Sequence, residues 1–134
     1  MITFFFKVGK SFLKYSNHPI TIPREHYKCL EREIYSGSGK RTIFVRISPP
    51  KGRLLDGEIY YGVASYGPYY QIKVLGAYPS DYFGDLQIGE ILGVTIQDSE
   101  GEVKIKIVST PQLQEFIKKL ENTVIIKRKG GNNV

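Results

Sequence analysis

Tryptophan is absent from the chain, and cysteine and methionine occur once each. The single cysteine, Cys29, closes off any disulfide framework within the chain. Only two histidines, His18 and His26, accompany it, so no Cys/His zinc site can be assembled. An intracellular protein is the expectation. Long apolar runs are missing as well, and none approaches the roughly 20 residues that span a bilayer, so no membrane partner is expected. The apolar start Met1-Ile2-Thr3-Phe4-Phe5-Phe6 has no basic region before it and is cut short by Lys7. It reads as a strand, not as a secretion signal. There is no P-loop, no Gly-x-Ser-x-Gly and no histidine pair at metal-ligand spacing. The expectation is a protein without catalytic residues, cofactor or bound metal.

What is present is a folded, aromatic-rich and unevenly charged chain. Its 134 residues are one domain's worth, read as a single domain over 1–129 with a polar tail at 130–134. Hydrophobic residues make up 41%, and ten tyrosines and seven phenylalanines argue against disorder. The net charge of +6 is concentrated early. Residues 1–53 hold 11 Lys/Arg against 3 Asp/Glu, whereas residues 54–134 hold 8 against 10. A first part at +8 points to a polyanionic partner, although a basic balance also serves solubility alone.

The chain changes character at Ile20-Thr21-Ile22-Pro23. Ile20 and Ile22 alternate with Thr21 as in a half-buried strand, and Pro23 suits the first position of a helix. His26, Tyr27 and Leu30 then recur at three- and four-residue steps, giving a short helix to about Glu33. A first strand precedes this corner over residues 2–8. Between them runs a cationic, polar stretch, residues 7–18, with Phe12 and Leu13 set into it. Beyond the break at Ser36-Gly37-Ser38-Gly39, residues 42–48 alternate, with Ile43, Val45 and Ile47 on one side and Thr42, Phe44 and Arg46 on the other. Residues 58–64 and 69–75 read as an antiparallel hairpin joined by Ser65-Tyr66-Gly67-Pro68. Residues 91–96 and 102–108 form strands about the turn Asp98-Ser99-Glu100-Gly101. Thr110-Pro111 opens a helix to about Glu121, and residues 124–126 give a last strand. Seven or eight short strands and two short helices predict a mainly β protein built as an open barrel.

Two short motifs in this order carry a resemblance. Ile22-Pro23-Arg24 is similar to the Ile/Leu-Pro-Lys lead-in to the first helix of the DNA-binding pseudobarrel superfamily. Gly89-Glu90, within residues 86–96, is similar to that superfamily's Leu-x-x-Gly-Asp turn before a late strand. Asn17-His18 before Ile20 is similar to the recognition arm of one of its branches. The chain thus resembles the plant "B three" transcription-factor domain and the effector domain of EcoRII-type restriction endonucleases, over most of residues 2–109. Swapped-hairpin (AbrB-type) proteins share both motifs, but in them the two lie much closer together than the 66 residues separating Pro23 from Gly89. The superfamily's tryptophans have no counterpart here.

The resemblance implies a duplex DNA-binding domain that grips the major groove with two arms. The arms correspond to residues 7–18 and residues 65–71. In the first, Lys7, Lys10 and Lys14 can neutralise phosphates beside Tyr15, Asn17 can bond bidentately to adenine, and His18 or Ser16 can meet a base edge. In the second, Tyr66, Tyr69 and Gln71 offer polar reach around Gly67 and Pro68. Arg46, Lys51 and Arg53 can widen the phosphate track. Transcription regulation or targeting within a restriction or mobile-element system would follow.

Other readings of the same residues stand beside this one. A protein-interaction or structural β-domain of viral or plasmid origin would use an apolar patch instead of the basic arm. A single-stranded nucleic-acid binder would stack bases on Tyr60, Tyr61, Tyr66, Tyr69 and Tyr70, residues that strands also favour for packing. Glu102-Val103-Lys104 matches half of a metal-dependent nuclease motif, with Asp85 or Asp98 upstream, but lies in what reads as an acidic hairpin tip. His26 and Cys29 are expected to pack, not to react.

Overall fold

The alternating segments form strands in a computed structural model, which describes residues 1–35, 41–76, 83 and 85–109. The order is β1 (Ile2–Lys7), α1 (Lys10–Lys14), β2 (Ile20–Thr21), a 3-10 turn at Arg24–His26, α2 (Tyr27–Glu33), β3 (Ile43–Ser48), β4 (Leu55–Ala64), β5 (Gly67–Val74), β6 (Ile91–Ser99) and β7 (Glu102–Val108). The expected helix at 110–121, the strand at 124–126, the polar tail, the break at 36–39 and most of the 79–84 loop lie outside the described residues.

All seven strands belong to one sheet in the order β1-β6-β7-β3-β4-β5-β2, a nearly closed barrel. Neighbours pair antiparallel except β3 and β7, which run parallel with Ile47 opposite Ile105. The period-two pattern dictates which side chains meet inside. Val45 and Ile47 of β3, Ile59 of β4, Tyr70 and Ile72 of β5, Leu92, Val94 and Ile96 of β6 and Ile105 and Ile107 of β7 are all buried. The fold class expected from the sequence is the fold observed.

The corner at residues 20–30 bridges the two ends of this sheet. Pro23 stands just outside the 3-10 turn with extended ψ of 142°, so the helix starts a few residues later than the proline signals. His26 then packs on Phe4 of the edge strand β1, with ring centroids 5.8 Å apart. From α2 and the residues after it, Tyr27 and Tyr35 pack on Tyr70 of β5 at 5.0 and 5.5 Å. Leu30, on the same helical face, is fully buried.

Tyr35 makes this closure pH-sensitive at the alkaline end. Its ring is fully buried, and its hydroxyl reaches the Ile59 carbonyl only at 3.5 Å. Burial, then the neighbouring Tyr70 phenol, pushes its pKa far above the ordinary tyrosine value of about 10. The unfolded chain therefore releases this proton near pH 10 while the folded chain keeps it. Stability is fully present below that pH and falls as pH rises above it. Thermal melts between about pH 8 and pH 12 should show a declining midpoint above about pH 10, and Tyr35→Phe should blunt the decline.

Candidate nucleic-acid interface

The 7–18 segment differs from the open loop its composition predicts. It leaves β1 at Val8, where two backbone bonds fix it: Val8 N–H donates to Glu90 O, and Gly89 N–H donates to Val8 O, both at 2.8 Å. Gly89 takes φ +96°, a left-handed conformation that disfavours any side chain. The Gly-Glu turn is thus the clip that holds the root of the arm. Lys10–Lys14 then turn once as α1, with Phe12 pointing into the core. Phe12 meets Phe6, His18 and Phe83 at 5.3, 5.1 and 5.4 Å.

This anchoring sorts the candidate residues of the arm. Lys7, Lys10, Lys14, Tyr15 and Ser16 are exposed. Lys14 Nζ lies 5.7 Å from the Tyr15 ring. His18 is buried at φ +43°, its ring 4.6 Å from Phe83 and its Nδ1 donating to the Phe12 carbonyl at 2.8 Å. That nitrogen is committed to holding the arm together. Asn17 is half-buried; its carbonyl accepts from Val74 N–H at 2.7 Å. Its side-chain oxygen is buried with no hydrogen-bond partner among the described residues.

The second arm is tighter than its Gly-Pro composition predicts. Only Ser65 and Tyr66 connect the strands, because Gly67 and Pro68 already pair with Ala64 and Val63. Tyr69 and Gln71 therefore sit within β5. They alternate with the buried Tyr70 and Ile72 and so face outward. Gln71 Nε2 donates to Thr21 Oγ1 of β2 at 3.1 Å.

The β2–β5 ladder relates the two arms. Ile20 pairs with Ile72 and Thr21 with Gln71, and Ile22 N–H donates to Tyr70 O at 2.9 Å. Asn17 and Val74 join at one end of this ladder. At the other end Arg24 Nη2 donates to the Tyr66 carbonyl at 3.2 Å, with its guanidinium 5.7 Å from the Tyr66 ring. The arms thus stand at opposite ends of one narrow outer face that carries Thr21, Gln71, Tyr69 and Lys73.

The three remaining candidates lie apart from this face. Arg46, on β3, is paired with Asp56 and approaches Glu102 at 3.5 Å. Lys51 bonds Asp85 at 2.9 Å, and Arg53 is exposed in the same β3–β4 connection. Asp85 and Glu102, two carboxylates of the nuclease reading, are thereby both engaged with cations. Among the described residues no group of three His, Cys, Asp or Glu side chains is placed to hold a metal ion. No described helix is long and apolar enough to cross a membrane. The Cys29 thiol donates to Glu33 at 3.0 Å, and that bond raises its pKa, keeping it a thiol.

Sequence reasoning did not single out Thr21, Arg24 or Lys73 as candidates for this face. Thr21 was accessible, since alternation with Ile20 and Ile22 already turns it outward. Arg24 was not, because its place beside Tyr66 follows only from the β2–β5 register. A scan of protein families and a search of curated proteins both return no match to this chain.

Proposed function

We propose that the chain is a non-catalytic duplex DNA-binding domain whose outer β2–β5 face lies against the groove, with residues 7–18 and the β4–β5 turn gripping either side. One observation carries the reading: two arms with exposed polar or cationic groups stand at opposite ends of a single ladder that presents Thr21 and Gln71 between them, with Arg24 at the hairpin end. Lys7, Lys10 and Lys14 supply sequence-independent attraction to phosphates, and the amide and hydroxyl groups of the ladder supply contacts to base edges. The resemblance to the pseudobarrel superfamily extends this proposal to a role in transcription regulation or in targeting a restriction or mobile-element system.

The test is fluorescence anisotropy with labelled duplexes of mixed sequence. Binding should weaken roughly forty-fold between about 50 and about 200 mM salt if three phosphates are neutralised. Absence of duplex binding at the lower salt overturns the proposal. The protein-interaction reading has its own support in Phe5, 63% exposed on β1, and in the exposed Ile91 of β6, which pairs with Lys7 and so lies diagonal to Phe5. Light scattering that shows an assembly dispersed by Phe5→Ser would favour it.

A further inference from the structure

The outer face of the β4–β5 hairpin holds an arrangement that duplex binding does not require. Tyr60 and Tyr69 project from adjacent strands with ring centroids 6.0 Å apart, and Tyr66 continues the row 6.3 Å from Tyr69. A cation lies over the terminal ring at each end. Lys73 Nζ lies 3.9 Å from the centre of the Tyr60 ring, and Arg24 lies beside Tyr66.

Gly62 explains how the rings lie. It pairs with Tyr69 across the ladder and has no side chain to prop the rings up. A Cβ there would come within 2.5 Å of Tyr69 Cζ and 2.7 Å of Tyr60 Cε1. Both rings therefore lean over the glycine backbone instead of standing off the sheet. The result is a stepped aromatic shelf, Tyr69 tilted 49° to Tyr60 and 42° to Tyr66, with a cation over the ring at either end and Tyr69 between them. The Tyr69 phenol is held protonated, its pKa raised by desolvation first and by the neighbouring Tyr60.

Planar rings flanked by cations suit one ligand chemistry: a nucleobase out of its stack, with phosphates on either side. We propose that Tyr60, Tyr69 and Tyr66 over Gly62 form a stacking shelf for an unstacked base. This rests on the nucleic-acid reading above and extends it. Because the shelf adjoins the face between the arms, the base comes either from a single strand or from an unpaired position within a duplex.

Three labelled probes of one sequence separate these sources: a perfect duplex, the same duplex with a one-base bulge, and the single strand. The bulged duplex should bind about five-fold or more tightly than the perfect one. Tyr69→Ala should abolish that preference, lowering bulged-duplex affinity more than perfect-duplex affinity, while Tyr69→Phe should retain it. Gly62→Ala keeps every tyrosine but lifts two rings, and should also remove the preference. Preference for the bulge points to an extrahelical base, and preference for the single strand points to a strand source; either supports the shelf. Equal affinity for bulged and perfect duplexes with no gain on the single strand overturns it, as does an equal loss on all three probes for Tyr69→Ala. Perfect-duplex binding with no preference for the bulge or the single strand would remove the shelf and leave the duplex reading standing. Single-strand binding lost in Tyr69→Ala, with no duplex binding, would do the reverse.

Discussion

Replacing Lys7, Lys10 and Lys14 together with alanine is expected to lower duplex affinity roughly a hundred-fold near 0.15 M salt. It should also flatten the dependence of log affinity on log salt by about 2.7. All three lysines are exposed, one at the end of β1 and two at either end of α1. Lys10 and Lys14 are four apart on a single helical turn and so project from the same side. Each phosphate contact releases condensed counterions, and removing three contacts removes that release whatever the base sequence. Anisotropy titrations at several salt concentrations read both quantities. A salt slope unchanged by the triple substitution would place the phosphate contacts elsewhere and remove residues 7–18 from the interface.

Phe12→Ala should cost about 3–5 kcal/mol of stability, a large share of what a small domain has. The ring is 1% exposed and touches Phe6, His18 and Phe83. Truncation leaves a cavity among three aromatic rings that belong to different segments, so the site cannot simply collapse. It also loosens the hold of α1 on the barrel. Urea unfolding should show an earlier midpoint with little change in slope. Where the variant remains folded, its duplex affinity should fall as well, because the arm's lysines lose their fixed positions. A stability change under about 1 kcal/mol would mean that Phe12 does not anchor the arm.

How far each part could be read from sequence depended on whether local pattern or cross-strand register decides it. The β3 alternation of Ile43, Val45 and Ile47 against Phe44 and Arg46 was legible because burial has period two and the strand has one wet face. The β4–β5 hairpin was legible from a short polar connection between two apolar runs. The buried role of Phe12 was not. Two apolar residues among cations are too few to show a helical period, and the rings that bury Phe12 come from residues 6, 18 and 83. The left-handed turn at His18 ran against expectation too, since a residue before proline favours extended backbone. Pro68 made the second arm look like a loop. It sits instead at the beginning of β5, where a missing N–H is tolerated. Arg46 shows the limit for charges: an outward arginine reads as available until the register places Asp56 opposite it.

The brevity of β2 has a consequence for how the domain opens. Only two residues of β2 pair with β5, against eight register pairs between β4 and β5. The bonds from Ile22 N–H to Tyr70 O and from Val74 N–H to Asn17 O extend that contact, but it remains the thinnest seam in the sheet. Such a seam is where sub-global opening begins, with the rest of the sheet still paired. Opening it carries residues 7–18 away from the hairpin and dismantles the proposed DNA-binding face in one step. A duplex held by both arms would close the seam from outside. Amide exchange at Ile22 and Val74 should therefore be among the faster of the bonded amides in the free protein, and should slow most when DNA binds.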